Sequence, residues 1–89
     1  MKSITTSQFW KLYDGLPEDM KNWADSTYEL WQINPHAHGL YFKRVGKKKP
    51  VYSVRIGSGY RALGILEGDT VLWFWIGAHD EYERILKHL

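Results

Sequence analysis

The stretch VYSVRIGSGYRALGILEGDTVLWFWIG, residues 51–77, decides the fold of this 89-residue chain. It contains three runs rich in β-branched and aromatic residues, Val51–Ile56, Tyr60–Leu66 and Val71–Ile76. Turn residues separate them, first Gly57-Ser58-Gly59 and then Glu67-Gly68-Asp69-Thr70. Connections this short place consecutive strands side by side in opposite directions. The stretch therefore predicts an antiparallel meander of three strands.

Upstream of the meander, apolar residues recur at helical spacing in two segments. The first follows a capping-box pattern at Thr5–Gln8 and ends at Gly15, and the second runs from Pro17 to Asn34. The second segment carries an apolar stripe that we expect to face the core: Met20, Trp23, Ala24, Thr27, Leu30 and Trp31. The N-terminal third thus predicts a helical hairpin.

Two shorter segments complete the predicted fold. Leu40–Val45 is a fourth β-rich run, and a short last helix begins at about Asp80. The predicted class is α+β, with an N-terminal helical hairpin packed on a four-stranded antiparallel sheet and a short C-terminal helix. Residues 1–89 then form a single domain, because a chain of this length can build one hydrophobic core.

Charge is distributed unevenly along the sequence. Residues 30–66 contain seven Lys and Arg but no Asp or Glu, whereas both flanks are net acidic. The formal net charge of +2 therefore hides a cationic band, which is typical of surfaces that bind phosphates. Cysteine is absent, which excludes disulfides and thiolate metal sites. No apolar run resembles a signal peptide or a membrane span, so we expect a cytoplasmic protein.

The turn positions predict which residues face each other across the meander. If each turn is centred on its middle residues, Arg55 lies opposite Arg61, and Arg61 is level with Ile76; a bulge at the glycines would shift the first pairing by one. Because the chain leaves the sheet just before His79, we expect both arginines and His79 at one end of the sheet. Facing like charges cost up to about 1 kcal/mol unless an anion lies between them. Two guanidinium groups beside an imidazole suit phosphodiester cleavage.

Structural explanations compete with this hypothesis. Arg55 and Arg61 could pair with Asp80 or Glu81, in which case they would be ordinary strand residues. His79 could do no more than cap the last helix. The lysines of residues 47–49 could form a solvated turn, although they complete the acid-free band.

Other chemistry-bearing residues favour packing over catalysis. Tyr82 begins the apolar stripe of the last helix, so packing is the alternative to a catalytic role. Trp73 and Trp75 are expected to share one strand face and to belong to the core. His36 and His38 lie in a loop without further ligands, and we predict no metal site.

Residues 51–86 resemble the RelE/ParE superfamily of toxins from bacterial toxin–antitoxin systems. Its members typically show a basic strand, a Tyr-Arg pair that opens the next strand, a hydrophobic strand that ends in Gly, and then a His or Arg and a Tyr. The matching residues here are Arg55, Tyr60, Arg61, Gly77, His79 and Tyr82. The resemblance implies a RelE-like domain that blocks translation by cutting mRNA in the ribosomal A site. It also implies an endoribonuclease that uses neither metal nor cofactor.

The same resemblance implies a role for each of these side chains. Arg61 would stabilise the scissile phosphate, and Arg55 would provide a second cation. His79 would be the general acid or base, while Tyr82 would orient the substrate or stack on a base. The residues that would hold the mRNA or rRNA backbone are Lys43, Arg44, Lys47, Lys48 and Lys49.

Two departures from the family pattern keep other functions open. Superfamily members usually begin with an edge strand, but here only Met1–Ile4 precede the helix cap, so we expect that strand to be very short or missing. Val51–Val54 also lacks the lysines that the ribonuclease branch carries before its Tyr-Arg pair. The alternatives are a non-enzymatic, ParE-like inhibitor of gyrase and a degenerate RNA-binding or regulatory member. The expected partners are a cognate antitoxin, mRNA and the ribosome, but no membrane.

Overall fold

The predicted meander forms the centre of a five-stranded sheet in the computed structural model, which describes residues 1–89. The elements are β1 (Lys2–Thr5), α1 (Ser7–Asp14), α2 (Glu18–Ile33), β2 (Lys43–Arg44), β3 (Val51–Ile56), β4 (Tyr60–Glu67), β5 (Thr70–Ala78) and α3 (His79–Leu86). The strand order across the sheet is β1-β5-β4-β3-β2. The α+β class and the helical hairpin are confirmed.

The strand β1 corrects the predicted number of strands from four to five. It is short, as expected, but it is present at the sheet edge and pairs in parallel with β5, from Lys2 opposite Thr70 to Thr5 opposite Trp73. The sheet is therefore mixed, since its other pairs are antiparallel. No turn joins β1 to β5, and Lys2–Thr5 contains only one apolar residue, Ile4, so it shows no apolar–polar alternation. Local sequence therefore carries no signal for this pairing.

At the opposite edge, β2 spans two residues where Leu40–Val45 was predicted. The backbone of Tyr41 has a φ of 48°, which is incompatible with an extended strand. The edge strand therefore begins only after this residue.

Hydrophobic layers lie on both faces of the sheet. On one face, α1 and α2 pack through residues such as Trp31 against Trp73 of β5. On the other face, Tyr82 of α3 packs against the sheet beside Trp75. No helix combines the length and apolar character needed to cross a bilayer.

The apolar stripe predicted on α2 is only partly buried. Ala24 and Trp31 face the core, but Trp23 and Leu30 remain 54% and 40% exposed. The helix thus contacts the sheet through a narrower face than its sequence indicates.

A β-bulge divides the long ladder between β4 and β5. Leu63 faces Trp75, and the next residue of β4, Gly64, faces Trp73, which leaves Phe74 as the extra residue. The extra residue reverses the alternation of side chains, so Trp73 and Trp75 belong to hydrophobic clusters on opposite faces. Their predicted place in the core is confirmed, but the predicted shared face is wrong.

Side-chain hydrogen bonds fix the start of the helical hairpin and join its helices. Thr6, not Thr5, caps α1, and its hydroxyl accepts the backbone N–H of Phe9 at 3.1 Å. The Tyr13 hydroxyl donates to Asp25 of α2 at 2.7 Å. This hydrogen bond, followed by burial, raises the pKa of Tyr13 to about 12. The contact therefore stabilises the fold below the ordinary pKa of 10.0, and its contribution disappears as the pH rises towards about 12.

The bulge generates a stability prediction. An alanine methyl group at Gly64 would meet the Val71 side chain and lie 2.9 Å from the Trp73 ring. We expect Gly64→Ala to lower the free energy of unfolding by about 1–3 kcal/mol, measured by urea denaturation. Gly59→Ala is the matched control, because nothing lies within 4 Å of its added methyl group. Equal stability of both variants would contradict this close approach of the two strands.

Candidate active site

One row across the sheet brings together residues that were predicted to act together. Arg55 faces Arg61 across β3 and β4, as predicted. Arg61 faces Gly77 of β5 rather than Ile76, because the bulge adds one residue between this row and the β4–β5 turn. A methyl group at Gly77 would come within 2.7 Å of the Trp75 ring. Facing side chains have Cβ atoms about 5 Å apart, so the two arginines are close neighbours.

The side chain of Arg61 is partly buried and has no anionic partner. Its Cζ atom lies 5.2 Å from the centroid of the Tyr82 ring, on the face of the sheet that α3 covers. Its Nη1 atom is buried without a hydrogen-bond partner, an arrangement that costs about 1–3 kcal/mol. No salt bridge of the chain involves an arginine, so the alternative pairing with Asp80 or Glu81 is absent. Arg61 thus keeps an uncompensated positive charge.

Arg55 is held by a carbonyl group and an aromatic ring. Its Nε donates to the carbonyl oxygen of Gly57 at 2.9 Å. Its Cζ lies 5.4 Å from the centroid of the Tyr41 ring. Both contacts stabilise the cation without neutralising it.

Tyr41 is a further neighbour of Arg55, and its place in the sequence gives no sign of this contact. It is 52% exposed, and its left-handed backbone costs about 1–2 kcal/mol in a residue that has a Cβ atom. The backbone N–H of Arg55 donates to the carbonyl oxygen of Leu40 at 2.8 Å, which places the next residue, Tyr41, beside Arg55. The register between β2 and β3 would have revealed it, but the loop at residues 46–50 does not fix that register.

His79 is the first residue of α3 and lies beside the β3–β4 turn. Its backbone N–H donates to the carbonyl oxygen of Gly59 at 2.9 Å. Its Nε2 lies 3.0 Å from Oε1 of Glu83. The helix cap is Ala78, and no side chain caps this helix, so the imidazole does not serve as the cap. The contact with Glu83 orients the ring and leaves Nδ1 available for proton transfer.

Tyr82 lies beneath the site rather than at its surface. It is 4% exposed and belongs to the hydrophobic cluster under α3. Its hydroxyl donates towards Ser53 Oγ at 3.5 Å, and its ring lies 5.5 Å from that of His79. The ring therefore contacts both His79 and Arg61, and in this position it supports the site from below.

The basic residues of β2 and its loop lie along one edge of the sheet. Lys43 and Arg44 are exposed, as are the three lysines of residues 47–49. Lys43 faces Ser53, which shares a face of β3 with Arg55. The lysine loop precedes Val51, at the opposite end of β3 from Arg55, a separation of about 13 Å along the strand. The cationic band is therefore extended, and only Lys43 approaches the arginines.

His36 and His38 line a cavity of about 230 Å³ together with Tyr41. No group of three or more potential metal ligands exists in the chain.

Comparisons with known proteins agree with this fold. The ParE-like toxin domain model matches residues 21–84, whereas no curated protein matches the chain. A chain of the RelB–RelE antitoxin–toxin complex from Methanococcus jannaschii superimposes with a TM-score of 0.69 at 18% identity, covering 92% of this chain and 96% of its own. The isolated E. coli RelE toxin superimposes with a TM-score of 0.65 at 15% identity, covering 99% of this chain and 98% of its own. A chain of the Mycobacterium tuberculosis RelBE2 toxin–antitoxin complex superimposes with a TM-score of 0.65 at 15% identity, covering 88% of this chain and 96% of its own. At such identities the likeness shows a shared fold.

The unpaired guanidinium of Arg61 generates a second stability prediction. Arg61→Met keeps a flexible side chain against Tyr82, removes a buried unpaired donor and relieves repulsion from Arg55. We expect an unchanged free energy of unfolding or a gain of up to about 1–2 kcal/mol in urea denaturation. Arg84→Met, at an exposed position of α3, is the control and should change little. A clear loss of stability in Arg61→Met alone would mean that this arginine serves the fold.

Proposed function

The chain belongs to the ParE-like toxin domain family of the RelE/ParE superfamily, and from this premise we propose that it is the toxin of a toxin–antitoxin pair. Its proposed activity is the cleavage of mRNA in the A site of the ribosome, by an endoribonuclease mechanism that needs no metal. The proposed reacting groups are Arg55, Arg61 and His79.

The observation that carries the proposal is the pair of facing arginines without a carboxylate partner. Two neighbouring cations are unfavourable unless something else is gained by keeping them together. A phosphate in the scissile position would contact both guanidinium groups, and the additional charge of the phosphorane would be stabilised further. Gly77 of β5 faces Arg61. His79 follows it by two residues, directly after the end of β5.

In the proposed reaction, the 2′-hydroxyl of the RNA attacks the adjacent phosphorus and the bond to the 5′-oxygen breaks. His79 either accepts the proton of the 2′-hydroxyl or donates a proton to the leaving 5′-oxygen. Water carries out the other of these two proton transfers. Glu83 orients the imidazole through the contact at Nε2, so the proton moves at Nδ1. Tyr82 is assigned a positioning role, because its buried ring contacts Arg61 and His79 from below.

The exposed basic residues are proposed to hold the RNA backbone away from the reacting phosphate. Lys43 is suited to the phosphate next to the cleaved one, since it faces Ser53, two residues from Arg55 and on the same face of β3. Arg44 donates to the carbonyl oxygen of Gly46 at 3.0 Å, which holds this cation at the loop of residues 47–49. These contacts would position RNA without reading its sequence.

An antitoxin is the proposed protein partner in the cytoplasm. Two of the similar structures are antitoxin–toxin complexes. The cationic band offers electrostatic complementarity to an acidic, amphipathic segment. Such a segment would neutralise the charges that RNA is proposed to meet.

Inhibition of gyrase is the alternative function, because the matching family model is that of the ParE-like toxin domain. A toxin that acts by binding gyrase would not need a proton-transfer group. The two functions therefore differ in their dependence on the His79 imidazole.

Primer extension on cellular mRNA after toxin induction tests the proposal. We expect His79→Ala to reduce cleavage about 10²–10⁴-fold, the usual contribution of a general acid or base. Arg61→Met should reduce it about 10²–10³-fold through lost charge stabilisation. His88→Ala and Arg84→Met are matched controls at exposed positions outside the site and should cleave normally.

The same induction experiment distinguishes the alternatives. If His79→Ala retains growth arrest, and gyrase-dependent supercoiling falls without mRNA cleavage, the ParE-like function replaces the proposed one. If the unmodified protein neither cleaves mRNA nor arrests growth, the chain is a degenerate RNA-binding or regulatory member of the superfamily.

A further inference from the structure

We propose that Tyr41 is the stacking platform for one base of the RNA substrate and that the cavity beside it receives that base. This inference rests on the proposed ribonuclease function and identifies a substrate-binding subsite that the family motifs do not contain. Arg55, Arg61 and Gly77 form a single row across the sheet, and the ring of Tyr41 lies against Arg55 at one end of this row. A base bound at Tyr41 would therefore belong to a nucleotide near the scissile phosphate.

The backbone around Tyr41 directs its ring away from the core. Leu40 on one side is 3% exposed, and Phe42 on the other packs against the same cluster beneath α1 and α2. Their burial leaves the intervening side chain on the arginine side of the sheet. The positive φ of 48° at Tyr41 is a strained conformation of the kind that concentrates at ligand-binding sites. The fold thus maintains an unfavourable backbone in order to present an exposed aromatic ring.

The contact with Arg55 covers one face of the Tyr41 ring and leaves the other face free for stacking. The guanidinium lies 5.4 Å from the ring centroid, yet 52% of the residue remains accessible. An ordered, exposed aromatic ring is what proteins use to stack the unpaired bases of single-stranded RNA. Because Arg55 is also proposed to bind the phosphate, one side chain would link base recognition to phosphate binding.

The adjoining cavity supplies groups that could contact the edge of a base. Its volume is about 230 Å³, and six residues line it: His36, Ala37, His38, Gly39, Tyr41 and Phe42. Each imidazole offers a nitrogen donor and a nitrogen acceptor when neutral, as the hydrogen-bonding edge of a base requires. Gly39, whose φ of 91° favours glycine, turns the loop around the cavity. The site therefore combines a stacking surface with polar groups at its rim.

The experiment uses 70S ribosomes that hold an mRNA with 2-aminopurine in the A-site codon. The toxin carries His79→Ala so that the RNA stays intact. Stacking quenches 2-aminopurine fluorescence, so binding of this toxin should quench it. Adding Tyr41→Ala should remove the quenching and weaken binding about tenfold, whereas Tyr41→Phe should preserve both within about twofold, since the ring is retained. Tyr28→Ala is the control, because Tyr28 is an exposed tyrosine on α2.

Thermal unfolding of each variant shows that it is folded under the assay conditions. Unchanged quenching and affinity in Tyr41→Ala would overturn the inference while leaving the proposed function intact, provided that the unmodified toxin cleaves the same mRNA. If Tyr41→Phe lost as much quenching and affinity as Tyr41→Ala, the inference would also be overturned, because the hydroxyl rather than the ring would then be required. If the unmodified toxin neither cleaves nor binds the programmed ribosome, the proposed function and the stacking role fail together.

Discussion

The candidate site depends on two guanidinium groups that face each other across neighbouring strands without a carboxylate between them. Each cation lies against the face of a tyrosine ring, Arg55 against Tyr41 and Arg61 against Tyr82. A cation–π contact contributes about 0.5–2 kcal/mol, which is enough to offset the repulsion of the pair. A carboxylate would stabilise the arginines more strongly, but it would also neutralise them. Aromatic partners instead hold the cations in place and leave their charge available to an anion.

The last helix couples this arrangement to the hydrophobic core. Tyr82 packs in the same cluster as Trp75 and contacts Arg61, so the packing of α3 fixes the position of the guanidinium. One turn earlier, the backbone N–H of His79 is bonded to Gly59 in the β3–β4 turn. The helix is therefore attached to the sheet both at its apolar face and at its first residue. Because of these two attachments, the imidazole and the guanidinium keep a defined relation to each other.

The parts of the fold that sequence could predict are those governed by short connections. The Gly57-Ser58-Gly59 turn is symmetric about its centre, and it fixed Arg55 opposite Arg61 correctly. The level of Arg61 on β5 was missed because a bulge lies within the ladder, and its sequence signal is a single glycine, Gly64, in a strand. The pairing of β1 with β5 joins segments that are far apart in the sequence, and only tertiary packing specifies it. Each error thus marks a place where a local pattern does not determine the register.

The same distinction applies to the candidate site. The strand register predicted from the turn placed the two arginines together. The position of Tyr41, in contrast, depends on a left-handed backbone conformation at a residue that has a Cβ atom. Local propensity disfavours that conformation, so a strand was predicted through it. The sequence also predicted a single cationic band and did not separate the lysine loop from the arginine pair. The loop lies about 13 Å from Arg55 along β3, beyond the Debye length of about 8 Å at physiological salt. Its charges therefore act little on the arginine pair, and they are suited to other phosphates of a long polyanion.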